Sequence, residues 1–185
     1  IIVLCSMWLS LPAYTQQKIK GALQLHTDVG NPKLKGSASY DKKSGIYTIA
    51  GSGYNIWFNR DEFQYVYKEI SGDFTLTANF AFTGTGTDPH RKIGWMVRNS
   101  LADTGIHASA VLHGDGLTVM QWRLKPGMNM RDPEDELFAK EKKLYGVIQL
   151  QRRGNNYSMR VAEKEGDTMQ LVGEQTLKDF NATVL

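Results

Sequence analysis

The sequence has one cysteine in 185 residues, and it falls at Cys5 in an opening segment unlike the rest of the chain. "IIVLCSMWLSLPAYTQQK" is apolar through Leu11 and carries no charge before Lys18. It reads as the hydrophobic region and cleavage zone of a signal peptide whose Met and basic start are missing. Ala13 and Thr15 stand at the −3 and −1 positions of a cut before Gln16. Leu4 directly before Cys5 is a poor fit to lipoprotein processing, which prefers a small residue there. The apolar stretch is shorter than the ~20 residues a membrane-crossing helix needs. Residues 1–15 are therefore expected to be a signal-peptide remnant, and 16–185 one exported domain in the periplasm, at the cell surface or outside the cell. Without Cys5 such a domain has no disulfide, no thiolate nucleophile and no Cys-based metal site, and it depends on its core for stability.

Charge of one sign is also lacking. Lys and Arg number 22 against 19 acids, a net charge of +3, and they are scattered apart from "KEKK" and "QRRG". A nucleic-acid binder concentrates such residues on one face, so no nucleic-acid partner is expected. Catalytic patterns are scarce as well. Ser71, Ser100 and Ser109 have no G-x-S-x-G around them, and "GTGTD" and "GSG" lack a phosphate-loop context. Ser109 lies two residues from His107, with no third residue evident to orient the histidine. His26, His90, His107 and His113 do not have the close ligand spacing of a zinc motif, so no metal site and no cofactor are expected.

Alternation, by contrast, is plentiful. "FTLTANFAF" sets Phe74, Leu76, Ala78, Phe80 and Phe82 on one face and Thr75, Thr77 and Asn79 on the other. That is the period of a half-buried antiparallel strand. "YTIAGSG" and "FQYVYKEI" read the same way, and further strands are predicted at 93–98, 107–113, 117–123, 145–152, 156–162 and 168–172. "HGDG" and "RRGNN" separate strand patterns closely enough to make hairpins. One short helix is predicted in "DPEDELFAKEKK", residues 132–143, with Pro133 near its first turn and acids before bases. "QTLKDFNATVL" holds no clear closing strand. Many short strands argue for two packed sheets or a barrel.

The blocks from Asp28 to Phe80, followed by "KIGWMVRNSL", "GLTVMQWR" and "YGVIQLQRRGNNYSMRVAEKEGD", resemble a bacterial family of concanavalin A-like modules. The resemblance covers about 28–172 and implies an all-β, concanavalin A-like antiparallel β-sandwich of the jelly-roll type. Modules of this kind continue into one or two further strands past the position of Leu185, so the chain is expected to lack its final strand or strands. Many of them are accessory parts of secreted, glycan-related or surface proteins.

Candidate residues lie on the strand patterns. Gln121 and Arg123 share one strand face, while Met120 and Trp122 take the other. Arg98 ends the neighbouring run, and amide and guanidinium groups suit sugar hydroxyls or a carboxylate. Structurally, the same arginine could instead pair with an acid from a neighbouring strand. Trp57, in "YNIWFNRDEF", could offer a flat ring to a pyranose or be core. His107 is a rim candidate, on the face of Ser109 and Val111. The tight pattern of acids that sandwich glucanases carry on one strand is absent, and Glu69 is expected in a salt bridge. The leading expectation is a non-catalytic carbohydrate-binding or accessory module with Trp57, Arg98, His107, Gln121 and Arg123 at its ligand face. The partner expected on that reading is a poly- or oligosaccharide. The alternatives are a polysaccharide-acting hydrolase or lyase, or a structural module packed on an adjacent domain.

Overall fold

A computed structural model describes residues 16–130, 136–139 and 141–185, so the signal-peptide reading of residues 1–15 lies outside the described residues. The described chain is all-β. Fifteen strands pair antiparallel throughout, in several sheets, with no helix among the described residues. None of them forms a helix long and apolar enough to cross a membrane.

Two four-stranded sheets face one another. The first has the order β11-β10-β9-β8, from β8 (Lys92–Arg98), β9 (His107–His113), β10 (Thr118–Arg123) and β11 (Glu136–Phe138). The second runs β14-β13-β12-β7, from β7 (Phe74–Asn79), β12 (Val147–Arg153), β13 (Asn156–Ala162) and β14 (Gln170–Thr176). Period-two alternation drives Val97, Ala108, Ala110, Leu112, Met120 and Trp122 inward from the first sheet. They meet Phe74, Ile148, Leu150, Tyr157, Met159 and Val161 from the second. The second sheet keeps a polar outer face, where Gln149 and Gln151 donate across the strands to Thr77 and Thr75 at 3.0 and 2.9 Å.

The first sheet has no wet face over its central strands, because a third layer covers it. β1 (Gln17–Lys18), β2 (Leu25–Val29) and β5 (Phe63–Tyr67) form a small sheet of order β1-β2-β5. Its Val29, Tyr65 and Tyr67 pack with Leu101 and Met96, and the Tyr65 hydroxyl donates to the Met96 carbonyl at 3.0 Å. Every residue of β9 and β10 is consequently buried. β3 (Ser37–Asp41) and β4 (Ile46–Ala50) form a hairpin of their own.

Two expectations are corrected. Residues 136–138 form β11 rather than part of a helix, with Leu137 opposite Met120 at the edge of β10. The helical signal there was local charge order. An unpaired strand edge and an apolar slot for Leu137 against the core outweigh it. The stretch after residue 175 does contain a strand, β15 (Thr183–Val184), which pairs with β6 (Ile70–Ser71). Leu185 then exchanges both backbone hydrogen bonds with Arg98, at 2.9 and 3.2 Å. Two residues are too short a run to show a period, which is why the pattern missed it.

Candidate functional site

The pairing register places Arg98 opposite His107, and His107 opposite Arg123, so the ends of three adjacent strands form one polar row. The row faces away from the inter-sheet core, as the parity of Met120 and Trp122 against Gln121 and Arg123 requires. Its side chains are fully buried, however, and their partners come from the protein itself.

Asp61 is the centre of this cluster. Arg123 grips its carboxylate with two bonds, Nη1 to Oδ2 and Nη2 to Oδ1, both 2.7 Å. Arg98 Nη1 donates to the same Oδ2 at 2.8 Å, and His107 Nε2 stands 3.8 Å from it. The remaining donors go to loop carbonyls. Arg123 reaches Met128 through Nε at 3.0 Å, Gly105 through Nη1 at 3.2 Å and Phe58 through Nη2 at 2.7 Å. Arg98 reaches Ser100 at 3.1 Å and Ala102 at 2.6 Å. Arg123 thus commits all five of its N–H groups. Burial alone would raise the Asp61 carboxyl. His107 when protonated, and the Arg123 and Arg98 guanidiniums, outweigh that and hold it below the ordinary carboxylate range. Burial also pushes His107 down, to about 3, with the two guanidiniums acting in the same direction against the pull of Asp61. At neutral pH the cluster is therefore one carboxylate, two guanidiniums and a neutral imidazole, whose Nε2 lies 3.2 Å from Met130 Sδ.

Gln121 has a similar task, donating from Nε2 to the Ile56 carbonyl at 2.9 Å. Arg98, Gln121, Arg123 and His107 thus sit beneath the 51–62 segment and its neighbouring loops, and the first three hold those loops by hydrogen bonds. Trp57 belongs to the 51–62 segment and is half-buried. Asp61 was missed as the partner of the arginines because it comes from a loop, not from a neighbouring strand. The ion pairs of the described residues do not include Glu69, which had been expected to form one.

Residues 51–62 have no strand or helix, yet they are fixed from below. Ile56 plugs a small apolar cluster with Val111 and Val119. Glu62 N donates to the Asn55 carbonyl at 2.9 Å, Asp61 N donates to Asp103 at 2.8 Å, and Tyr54 N donates to Glu62 Oε2 at 3.1 Å. On the outside the loop displays rings. Tyr54, 57% exposed, stacks on Phe58 with centroids 5.8 Å apart and planes 28° apart. The Arg60 guanidinium lies 5.1 Å from the Tyr54 ring centre and is ion-paired with Glu62. Sequence reading reached Trp57 in this loop and passed over Tyr54, Phe58 and Arg60, although the aromatic density of "YNIWF" was visible.

Gly53 is what lets the loop close on itself. A Cβ there would meet the Glu62 carbonyl oxygen at 1.8 Å, and that neighbour is backbone rather than a flexible side-chain tip. Gly53→Ala is expected to cost about 1–3 kcal/mol by forcing the loop open. Urea unfolding measures this, and a variant equal to the parent would show that the closure is not needed.

A second polar group lies at the far end of the same sheet. His113 ends β9, Asp115 follows in the hairpin turn, and His90 precedes β8; their potential ligand atoms lie within 4.8 Å of one another. This grouping departs from the expectation of no metal constellation, because strand register rather than sequence spacing assembles it. No protein-family model, no curated protein and no solved structure is found to match the chain.

Proposed function

We propose that the chain is a non-catalytic carbohydrate-binding module on a concanavalin A-like β-sandwich, taking a poly- or oligosaccharide of the exported or surface milieu on its 51–62 loop. The observation that carries this reading is the exposed Tyr54 ring stacked on a half-buried Phe58, with Arg60 and Glu62 beside it, on a loop anchored by hydrogen bonds from buried side chains. Aromatic faces suit the C–H faces of pyranose rings, and the flanking charged groups suit hydroxyls. The anchoring lowers the ordering cost that a mobile loop would meet on binding. In this reading Trp57 and Tyr54 touch the ligand. Gln121, Arg98 and Arg123 position the loop without touching the ligand, and His107 stays within the buried cluster.

The test is affinity electrophoresis of the folded chain through gels cast with a panel of soluble polysaccharides, each then assayed for new reducing ends. Retardation without cleavage is expected. Loss of one ring, in Tyr54→Ala or Trp57→Ala, is expected to weaken it by roughly 2- to 10-fold, the range of a single aromatic interaction. Cleavage would replace this reading with a polysaccharide-acting enzyme. Binding that survives both substitutions unchanged would move the ligand face elsewhere on the molecule.

A further inference from the structure

We propose that His90, His113 and Asp115 form a binding site for a divalent transition-metal ion, Zn²⁺ being the ion that suits it. The inference is independent of the carbohydrate reading.

Two side chains are already spaced as ligands. The Nδ1 atoms of His90 and His113 are 3.4 Å apart, with their rings nearly perpendicular at 89°. That separation is long for an N–H···N hydrogen bond. It matches the edge of a tetrahedron around zinc, about 3.3–3.4 Å when each Zn–N bond is about 2.0–2.1 Å. The third ligand type completes a donor set of two imidazoles and one carboxylate, which favours zinc over the oxygen-seeking calcium and magnesium. A site with three protein ligands leaves a fourth position for water or for a ligand oxygen.

The fold holds two of the three by different means. His113 is a buried strand residue paired with Lys92 in the β8–β9 register, so its ring is fixed. Its Nε2 has no hydrogen-bond partner among the described residues, so none of them dictates which ring nitrogen carries the proton. His90 is exposed, and its backbone is set by the Asp88 side chain, whose Oδ1 accepts from His90 N at 2.7 Å. Asp115 is shared: Oδ1 accepts from Leu117 N at 3.1 Å, while Oδ2 is paired with Lys142 Nζ at 2.6 Å. Metal binding requires Asp115 to leave Lys142 and swing inward, by roughly 1.5 Å at most from the 4.8 Å limit to a tetrahedral edge.

The opposing charges are equally clear. Lys92 donates from Nζ to the His90 carbonyl at 3.1 Å and to Asn55 Oδ1 at 3.0 Å, so one lysine ties the site to the 51–62 loop. Arg91 lies over Gly114 between the two histidine segments. With Lys142, these cations face the site and keep its affinity below that of a charge-neutral cage. Lys142 competes directly, because it holds the carboxylate oxygen the ion would need.

The test is calorimetric titration of the EDTA-treated, dialysed chain with Zn²⁺, paired with Co²⁺ absorption spectroscopy. One ion per chain is expected, with the intense visible bands of tetrahedral Co²⁺. His90→Ala removes an exposed ligand with little consequence for folding, and it should weaken zinc by at least about 100-fold, the upper end of what loss of an outer partner alone costs. His26→Ala, which alters a histidine outside the cluster, should leave the affinity unchanged. Lys142→Gln should tighten binding several-fold by freeing Asp115. Absence of binding in the parent, or binding that His90→Ala leaves intact, would overturn the assignment. Weaker binding in Lys142→Gln would overturn the competition that gives Asp115 its part.

Discussion

Asp61→Ala is expected to be the most damaging single substitution in the chain. It leaves two guanidiniums buried without their counter-ion, and the loss of one partner from a buried pair costs about 3–5 kcal/mol. Total stability is ordinarily about 5–15 kcal/mol, so the variant should be marginal or unfolded at room temperature. The effect is local before it is global. Arg123 joins Asp61 to the Phe58, Gly105 and Met128 carbonyls, so three loops lose a common anchor together. Amide exchange should therefore accelerate first in residues 51–62, ahead of β9 and β10. Asp61→Asn keeps the shape but not the charge and should lie between the two. In the Asp61→Ala background, Arg98→Met should recover part of the loss, because it removes one of the stranded charges. Urea denaturation of the four proteins decides the matter. An Asp61→Ala protein within about 1 kcal/mol of the parent would mean that water or loop movement satisfies both arginines.

The way this cluster was legible, and the way it was not, follows from periodicity. Parity alone assigned Gln121 and Arg123 to one face and Met120 and Trp122 to the other, and β10 obeys it. The same rule sorted Ala108, Ala110 and Leu112 from His107, Ser109 and Val111 on β9, and Phe74 and Leu76 from Thr75 and Thr77 on β7. Parity says which face a residue takes, however, and not what covers that face. The cover came from β2, β5 and the 51–62 segment. The partner Asp61 stands 37 residues before Arg98 and 62 before Arg123, on a stretch with no period to read. β2 and β3 were passed over because "LHTDV" and "SASYD" are too polar to show a buried face. The histidine pair was hidden for a related reason. His90 and His113 are 23 residues apart, and only the Lys92–His113 register brings their rings together. Side chains gathered by register leave no spacing signature along the chain.

Acidification should destabilise the fold through His107 well before the carboxylates titrate. Burial lowers this imidazole to about 3, against about 6.5 in an unfolded chain. The folded pKa is the depressed one, so the unfolded state takes up the proton first as pH falls. The contribution of His107 is then complete above about pH 6.5 and declines between there and about pH 3. At pH 5 the unfolded state is 1.5 pH units below its midpoint, which corresponds to a loss of about 2 kcal/mol relative to alkaline pH. The groups facing the ring are Asp61, Arg98, Arg123 and Met130, and the first three keep their charge between pH 7 and 5. Asp61 has the opposite kind of ionisation but the same sign of effect. Its carboxyl is also depressed, so its contribution is present above about pH 4 and fails only in stronger acid. The two groups therefore separate on the pH axis. Between pH 7 and 5, His107→Asn should lose about 2 kcal/mol less unfolding free energy than the parent, whatever its stability at pH 7. His26, His90 and His113 are present in both proteins, so they cancel in that comparison. Equal slopes in the two proteins would mean that His107 is protonated in the folded state beside Asp61, and the cluster would then be a charged triad around the carboxylate rather than an ion pair beside a neutral ring.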